Sequence, residues 1–206
     1  MDGKAVFDML WDETIRQSVL ERLSGYRYTH TLGVERAAIR LAERYGGDVQ
    51  KSAVAACLHD ITKRLSREEQ LYLCEKYDII PSDVEKNEWK MLHGKTAAGI
   101  AAHEYGAPRD VVDAIAYHTT GRAGMSLLDK IVYLADYIEE NRVFDGVEQA
   151  RQLAKEDIDK ALLYCFDSSL MELIERGKLI HADTLAARND LLVQGVTWRV
   201  PVPVTG

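Results

Sequence analysis

Cysteine pairs and long apolar runs are missing from this sequence, and each absence excludes a class of protein. The three cysteines, Cys57, Cys74 and Cys165, are far apart and form no Cys-x-x-Cys pair, so neither a thiolate zinc site nor a dithiol redox centre is expected. We predict that all three are buried thiols that pack as small hydrophobic groups. No apolar run approaches the length of a membrane-spanning helix, which predicts a protein without a membrane segment.

Basic residues are also in deficit, because 26 Lys and Arg face 33 Asp and Glu, for a formal net charge of −7. This balance argues against a broad nucleic-acid-binding surface but allows a local basic pocket for a phosphorylated small molecule. The first residues lead into an acidic amphipathic segment unlike a signal peptide, so we expect a cytoplasmic protein. The sequence allows a homodimer.

Proline is scarce as well, with four in 206 residues, and nearly every segment has helical rather than alternating hydrophobic periodicity. The sequence therefore predicts an all-α fold. Its length suits one hydrophobic core, so we expect a single-domain helical bundle. In this bundle, residues 1–19 form an N-terminal helix of the same domain, residues 20–176 form the core, and residues 177–206 form a C-terminal helix and an extended tail.

Local signals mark several helix ends. A first helix is predicted from about Val6 to Leu23, and Pro108 suits the first turn of another. His181 begins the last helix, where we predict a structural or exposed role. Capping sequences open three further helices, at Ser66, Ser82 and Ser126.

A small apolar helix at residues 53–58 leads directly into the polar run His-Asp-Ile-Thr-Lys at 59–63. Burying an ionised carboxylate beside an imidazole is unfavourable unless a partner satisfies both groups, and a divalent metal ion does so. In the alternative interpretation, Asp60 caps a helix or pairs with Lys63, and His59 hydrogen-bonds a backbone carbonyl.

Other polar residues occur in segments that are otherwise apolar. His30 shares a helical stripe with Val34, Ala37 and Leu41, which places it on the inward face, although a hydrogen-bonded core histidine has the same pattern. Taken together, the inward-facing polar residues make a candidate set of metal ligands: His30, His59, Asp60, His93, His118 and Asp136. Four imidazoles and two carboxylates suit iron, manganese, cobalt or zinc better than calcium or magnesium. Six ligands exceed the need of one tetrahedral ion, which favours two ions bridged by Asp60.

The order His, His-Asp, distal Asp resembles the HD superfamily of metal-dependent phosphohydrolases, through His30, His59-Asp60 and Asp136. A more specific likeness covers about residues 20–176 and is similar to the bacterial symmetrical bis(5′-nucleosyl)-tetraphosphatases of the YqeK type. The segments that carry it are Arg-Tyr-x-His-Thr-Leu-Gly-Val at 27–34, Leu-His-Asp-Ile-Thr-Lys at 58–63, Leu-His-Gly at 92–94, His-Thr-Thr-Gly at 118–121, Met-Ser-x-Leu-Asp-Lys-Ile-Val-Tyr-Leu-Ala-Asp at 125–136, Ile-Glu-x-x-Arg at 138–142 and Phe-Asp-Gly-Val at 144–147.

The resemblance implies an HD-type fold whose core is residues 20–176, and hydrolysis of diadenosine tetraphosphate to two ADP with one or two divalent ions, iron first among them. One ion would be held by His30, His59, Asp60 and Asp136. A second would be held or approached by Asp60, His93 and His118. With one ion alone, His93 and His118 would contact phosphate oxygens instead.

Two of these residues are predicted to be catalytic, Asp60 and Lys63. Lys63 would lend positive charge to a polyphosphate, although a solvated lysine at a helix end is the alternative. The remaining predicted substrate contacts are Arg27, Thr119 and Arg142.

Two other functions stay open. One is an HD phosphohydrolase of another nucleotide, such as a deoxynucleotide or a guanosine polyphosphate, and the other is a non-catalytic nucleotide sensor. The complete ligand set favours an enzyme. Thr62 stands where many HD phosphodiesterases of the cyclic dinucleotide class have glycine, which fits the tetraphosphatase type. The segment from about Leu191 to Gly206 lies outside the likeness.

Overall fold

The computed structural model describes residues 13–198, and every regular element in that range is helical. This confirms the all-α prediction. A short 3₁₀ turn, Trp89–Met91, precedes the sixth helix. The α-helices of the described range are α1 (Glu13–Glu21), α2 (Tyr26–Tyr45), α3 (Val49–Leu58), α4 (Arg67–Lys76), α5 (Asp83–Asn87), α6 (Leu92–His103), α7 (Arg109–Ala116), α8 (Leu127–Ile138), α9 (Val147–Glu156), α10 (Ile158–Glu175) and α11 (Ala182–Val193).

Serine side chains begin three of these helices, as the sequence predicts. Ser66, Ser82 and Ser126 each accept a hydrogen bond from the backbone N–H three residues later. The acidic side chain at that later position accepts from the serine N–H in return, which completes a capping box. Local sequence therefore fixes where α4, α5 and α8 start.

Two boundaries differ from the prediction or extend beyond the described range. Pro108 is the residue before α7 rather than part of its first turn. The first helix ends at Glu21 rather than Leu23, and the predicted helical residues 6–12 lie outside the described residues.

Helix α3 lies at the centre of the bundle, packed against α1, α2, α6, α7 and α8. Its Val54, Ala55, Ala56 and Cys57 side chains are all buried. Such small side chains allow the neighbouring helices to approach closely. The C-terminal end of α3 therefore lies among the other helices.

The three cysteines are free and buried, which confirms their predicted packing role. Burial raises the pKa of the Cys57 thiol to about 12 and also raises the pKa of Cys74 and Cys165. A thiol with a raised pKa forms little of the reactive thiolate at neutral pH.

The C-terminal helices close the core. Helix α10 packs against α8, α9 and α11 and buries Leu162, Leu163 and Phe166. His181 caps α11 by accepting from the Asp183 N–H, so its role is structural, as predicted. Of the predicted extended tail, residues 199–206 lie outside the described range.

No helix within residues 13–198 combines the length and the apolar character needed to cross a membrane.

Candidate metal centre

The helices bring all six predicted ligands to one place. They are His30 on α2, His59 and Asp60 just after α3, His93 in the first turn of α6, His118 just after α7, and Asp136 on α8. Five of these side chains are buried, while Asp136 keeps 17% of its side chain exposed. Residues up to 106 positions apart in the chain thus meet inside the bundle, with one edge open to solvent.

Their ligand atoms form three overlapping groups, and within each group the atoms lie within 4.8 Å of one another. The groups are His30, His59 and Asp60; His59, His118 and Asp136; and Asp60, His93 and His118. We define the first half-site as His30, His59, Asp60 and Asp136. We define the second half-site as Asp60, His93 and His118.

Asp60 belongs to both half-sites through its two oxygens. Its Oδ2 lies 3.7 Å from His30 Nε2 and 3.6 Å from His59 Nε2. Its Oδ1 lies 3.2 Å from His93 Nε2 and 3.7 Å from His118 Nε2. The carboxylate therefore has the position of a bridging ligand.

Backbone carbonyls fix the orientation of three of the imidazoles. The Nδ1–H groups of His59, His93 and His118 donate to the carbonyls three residues earlier, at 2.6, 2.6 and 2.7 Å. In a neutral imidazole the other nitrogen, Nε2, then carries a lone pair. All three lone pairs belong to the nitrogen that faces Asp60, which is the tautomer a metal ligand needs.

The imidazole lone pairs converge on one another and on the carboxylates. The Nε2 atoms of His93 and His118 are 3.1 Å apart, and His30 Nε2 lies 3.0 Å from Asp136 Oδ1. Among the described residues, three buried atoms of this cluster have no hydrogen-bond partner: His30 Nε2, His59 Nε2 and Asp60 Oδ1. Buried polar atoms without partners are costly, and a cation would satisfy all three.

Burial and neighbouring charges set the protonation of the cluster. Burial lowers the pKa of both His59 and His93 to about 4, which keeps them neutral at pH 7. Burial alone would raise the pKa of Asp60, but His59 and the other neighbouring histidines hold it well below its usual value. Asp136 is likewise held low against burial, chiefly by His30. Neutral imidazoles beside ionised carboxylates are ready to bind a cation.

Glu139, which received no role in the sequence analysis, supports the first half-site. Its side chain is fully buried, and its Oε1 lies 3.1 Å from His30 Nδ1, while Oε2 accepts from the Asn141 backbone N–H and side-chain amide. A Cβ atom at Gly33, one turn beyond His30, would collide with Oε2. Gly33 thus makes the space for this carboxylate. Two sequence signals were available for Glu139: its position directly after an apolar helix and its place in the Ile-Glu-x-x-Arg segment at 138–142.

Three of the predicted substrate contacts form ion pairs with the ligand carboxylates. Arg27 pairs with Asp60 Oδ2, and Arg142 donates to Asp136 Oδ1 at 2.6 Å. Lys63 Nζ lies 3.7 Å from Asp60 Oδ1 and donates to His93 Nε2 at 2.8 Å. All three cations lie beside the centre, where each contacts a ligand residue.

Thr119, the other predicted contact, lines a cavity of about 370 Å³ beside the centre. The cavity wall includes His118 and Asp136, and two aromatic side chains, Tyr137 and Phe144. The two rings meet edge to face with centroids 5.1 Å apart. The cavity is thus continuous with the cluster and has an aromatic side.

The donor set fits one or two divalent cations. It offers imidazole and carboxylate ligands without thiolates. The Nδ1 of every imidazole has a hydrogen-bond partner that orients the ring. The six-residue cluster, its surrounding cations and the adjoining cavity together suit metal-assisted chemistry on an anionic substrate.

Comparison with known proteins agrees with this description. Residues 27–141 match the family model described as the HD domain. Two curated bacterial relatives are both called symmetrical bis(5′-nucleosyl)-tetraphosphatase. The one from Bacillus subtilis is 37% identical over 175 residues, covering 84% of this chain and 94% of the relative. The one from Halalkalibacterium halodurans is 40% identical over 179 residues, covering 86% and 95%.

A solved structure from Clostridium acetobutylicum superimposes with a TM-score of 0.85 at 39% sequence identity, covering 89% of this chain and 98% of that chain. It is described as an HD superfamily hydrolase involved in NAD metabolism.

Proposed function

We propose that this chain, which belongs to the HD domain family, is a metal-dependent phosphohydrolase that cleaves diadenosine tetraphosphate symmetrically into two ADP. The two curated relatives of that name support the substrate, since this chain covers 94% and 95% of their lengths. The observation that carries the chemistry is the convergence of imidazole lone pairs and carboxylate oxygens in the buried cluster.

One or two divalent transition ions fit the cluster, with iron as our first choice and manganese, cobalt or zinc as alternatives. When bound, such an ion lowers the pKa of water, which can then act as a nucleophile near neutral pH. It also supplies positive charge that offsets the negative charge of the phosphates. The residues that would hold it are His30, His59, Asp60, Asp136, His93 and His118.

The reaction adds one water across the central P–O–P bridge of the tetraphosphate. The attacked phosphorus gains the hydroxyl oxygen, and the oxygen that leaves takes up a proton, so both products are ADP. Asp60 would hold both half-sites in register, because one of its oxygens faces each of them. This role fits the predicted catalytic part of Asp60.

Arg27, Lys63 and Arg142 would bind the polyphosphate. Their side chains are 18%, 34% and 29% exposed, so each lies at the edge of the cluster where an anion can reach it. Arginine forks suit phosphate oxygens, and a lysine supplies a mobile point charge that can offset the charge of the leaving phosphate. The substrate would thereby replace the ligand carboxylates as partner of these cations.

The cavity beside the centre would take one nucleoside. It has about 370 Å³ of space, an aromatic wall at Tyr137 and Phe144, and a hydroxyl at Thr119. Aromatic rings favour stacking with a purine base.

Product analysis with metal restoration tests this function. Metal-stripped protein would be given iron, manganese, cobalt or zinc and then diadenosine tetraphosphate, a deoxynucleoside triphosphate or a guanosine polyphosphate. We expect metal-dependent release of ADP alone from the first substrate. Release of ATP and AMP would contradict symmetrical cleavage, and bound metal with no turnover of any nucleotide would favour a sensor.

A further inference from the structure

Arg151 on α9 lies outside the residues that match the HD domain, yet its guanidinium reaches the end of α8. Its Nε donates to the Ile138 carbonyl at 2.9 Å. Its Nη2 donates to two carbonyls of the following turn, those of Glu139 at 2.6 Å and Arg142 at 3.0 Å. One side chain therefore binds three backbone carbonyls of residues 138–142.

Within the turn at residues 138–142, the Arg142 N–H donates to the Glu139 carbonyl and the Asn141 N–H donates to Glu139 Oε2. Arg151 ties this turn to another helix, α9. Ile138 ends α8, and the last carbonyls of a helix have no partner within the helix. A cation at this helix end is also favoured by the helix dipole. Since the planar guanidinium holds its donors in a fixed arrangement, it fixes the three carbonyls relative to one another.

Two groups of the candidate centre are carried by this turn. The Glu139 carboxylate contacts His30 Nδ1, and the Arg142 guanidinium donates to Asp136. A displacement of the turn would move both groups, and with them the orientation of His30 and the charge beside Asp136. Outer partners of metal-ligating histidines commonly tune metal affinity in this way.

We propose that Arg151 is a positioning residue that holds the turn at residues 138–142 so that Glu139 orients His30 in the first half-site. The inference rests on the proposed metal-dependent function, but it concerns metal binding rather than the identity of the substrate.

Cobalt binding to the purified metal-stripped protein tests the proposal without any substrate. The variants are Arg151→Gln and Arg151→Lys, with Arg44→Gln as the matched control. Arg44 donates to one backbone carbonyl, that of Lys155, near the C-terminal end of α9. The readouts are the cobalt dissociation constant, the visible absorption spectrum of the cobalt-loaded protein, and the thermal unfolding temperature without metal.

We expect Arg151→Gln to weaken cobalt binding at the tighter site by roughly 10-fold and to alter its absorption spectrum. Losing a hydrogen-bond partner of a metal-ligating histidine typically has an effect of this size. Arg151→Lys should fall between the wild type and Arg151→Gln, because an ammonium can donate to a carbonyl but not as a fork. Arg44→Gln should leave both properties unchanged.

A purely structural role predicts another pattern. If Arg151→Gln lowers the unfolding temperature but binds cobalt with wild-type affinity and spectrum, the proposal is wrong. If Arg151→Gln does not fold, wild-type cobalt binding by Arg151→Lys overturns it equally. A wild-type protein that binds cobalt but hydrolyses no dinucleoside polyphosphate would refute the proposed substrate and leave this test valid.

Discussion

The two half-sites share Asp60 but differ in what supports their imidazoles. In the first half-site, His30 faces the buried carboxylate of Glu139, whereas His93 and His118 of the second donate to neutral backbone carbonyls. A carboxylate partner raises the basicity of a ligating imidazole. We therefore expect the first half-site to bind a cation more tightly.

Resident cations contact both half-sites, but Arg27 and Arg142 contact carboxylates of the first, whereas Lys63 contacts an imidazole of the second. Lys63 donates to His93 Nε2, the single lone pair that this imidazole can offer a metal. Arg142 engages Oδ1 of Asp136, but a carboxylate has a second oxygen to offer. We therefore expect the six ligands to form two sites of unequal strength, because a metal ion at the second would have to displace an ammonium.

Asp60→Asn should have the largest effect, because it weakens the ligand common to both half-sites. We expect loss of both ions and a fall in activity of at least about 1,000-fold, since metal stabilisation of the transition state is worth several kcal/mol. Metal analysis after dialysis and initial rates measure this. Asp110→Asn, an acidic residue that pairs with Lys51, is the control. Two ions retained by Asp60→Asn would contradict the shared ligand.

His30→Ala and His93→Ala separate the half-sites. His93→Ala should keep one tightly bound ion per chain and lose roughly 100-fold in kcat, the cost of removing one group that stabilises charge in the transition state. His30→Ala should lose the tight ion. Metal titrations of the two proteins decide this, and equal affinities would remove the distinction between half-sites.

Glu139→Gln should weaken the first half-site selectively, by about 10- to 100-fold in metal affinity, as expected for a partner of a ligating histidine. Gly33→Ala should act in the same direction, because its new Cβ would collide with the Glu139 carboxylate. Glu104→Gln is the matched control, since Glu104 also directly follows a helix but pairs with Lys76 on the surface. Unchanged affinity in Glu139→Gln would show that the carboxylate does not tune the site.

The smallest effect, and one common to both half-sites, concerns pH. Burial lowers the pKa of His59 and of His93 to about 4, from about 6.5 in the unfolded chain. Between these values the unfolded chain binds more protons, so the free energy of unfolding of the metal-free protein should fall as pH falls from about 6.5 to about 4. Urea unfolding with a chelator measures the slope. Removing either histidine should reduce it, and a flat profile would contradict the burial of neutral imidazoles.

The sequence predicted the helix starts because capping is local, as at Ser66 and Ser126. It also placed His30 on an inward face, since helical periodicity is a property of a short segment. The role of Glu139 could not be read in this way, because it depends on a contact with His30, 109 positions away, and on the space beside Gly33. The role of Arg151 could not be predicted for the same reason, because it depends on contacts with carbonyls 9 to 13 positions away at the end of another helix.

The basic residues show a further limit. Their clustering near the ligands followed from motif spacing, and Lys63 and Arg142 pair with carboxylates close by in the chain. A pair between helices, in contrast, depends on how α2 packs against α3. Arg27, for example, precedes His30 by one turn and yet pairs with Asp60 after α3.

Anomalous diffraction from crystals of the metal-loaded protein tests the central claim most directly. At the absorption edge of the bound metal, we predict a strong peak enclosed by His30, His59, Asp60 and Asp136. A weaker peak should lie beside Asp60, between His93 and His118, and should strengthen in Lys63→Met crystals. Two equal peaks that do not respond to Lys63→Met would contradict the unequal half-sites, and no peak at the cluster would contradict the metal centre itself.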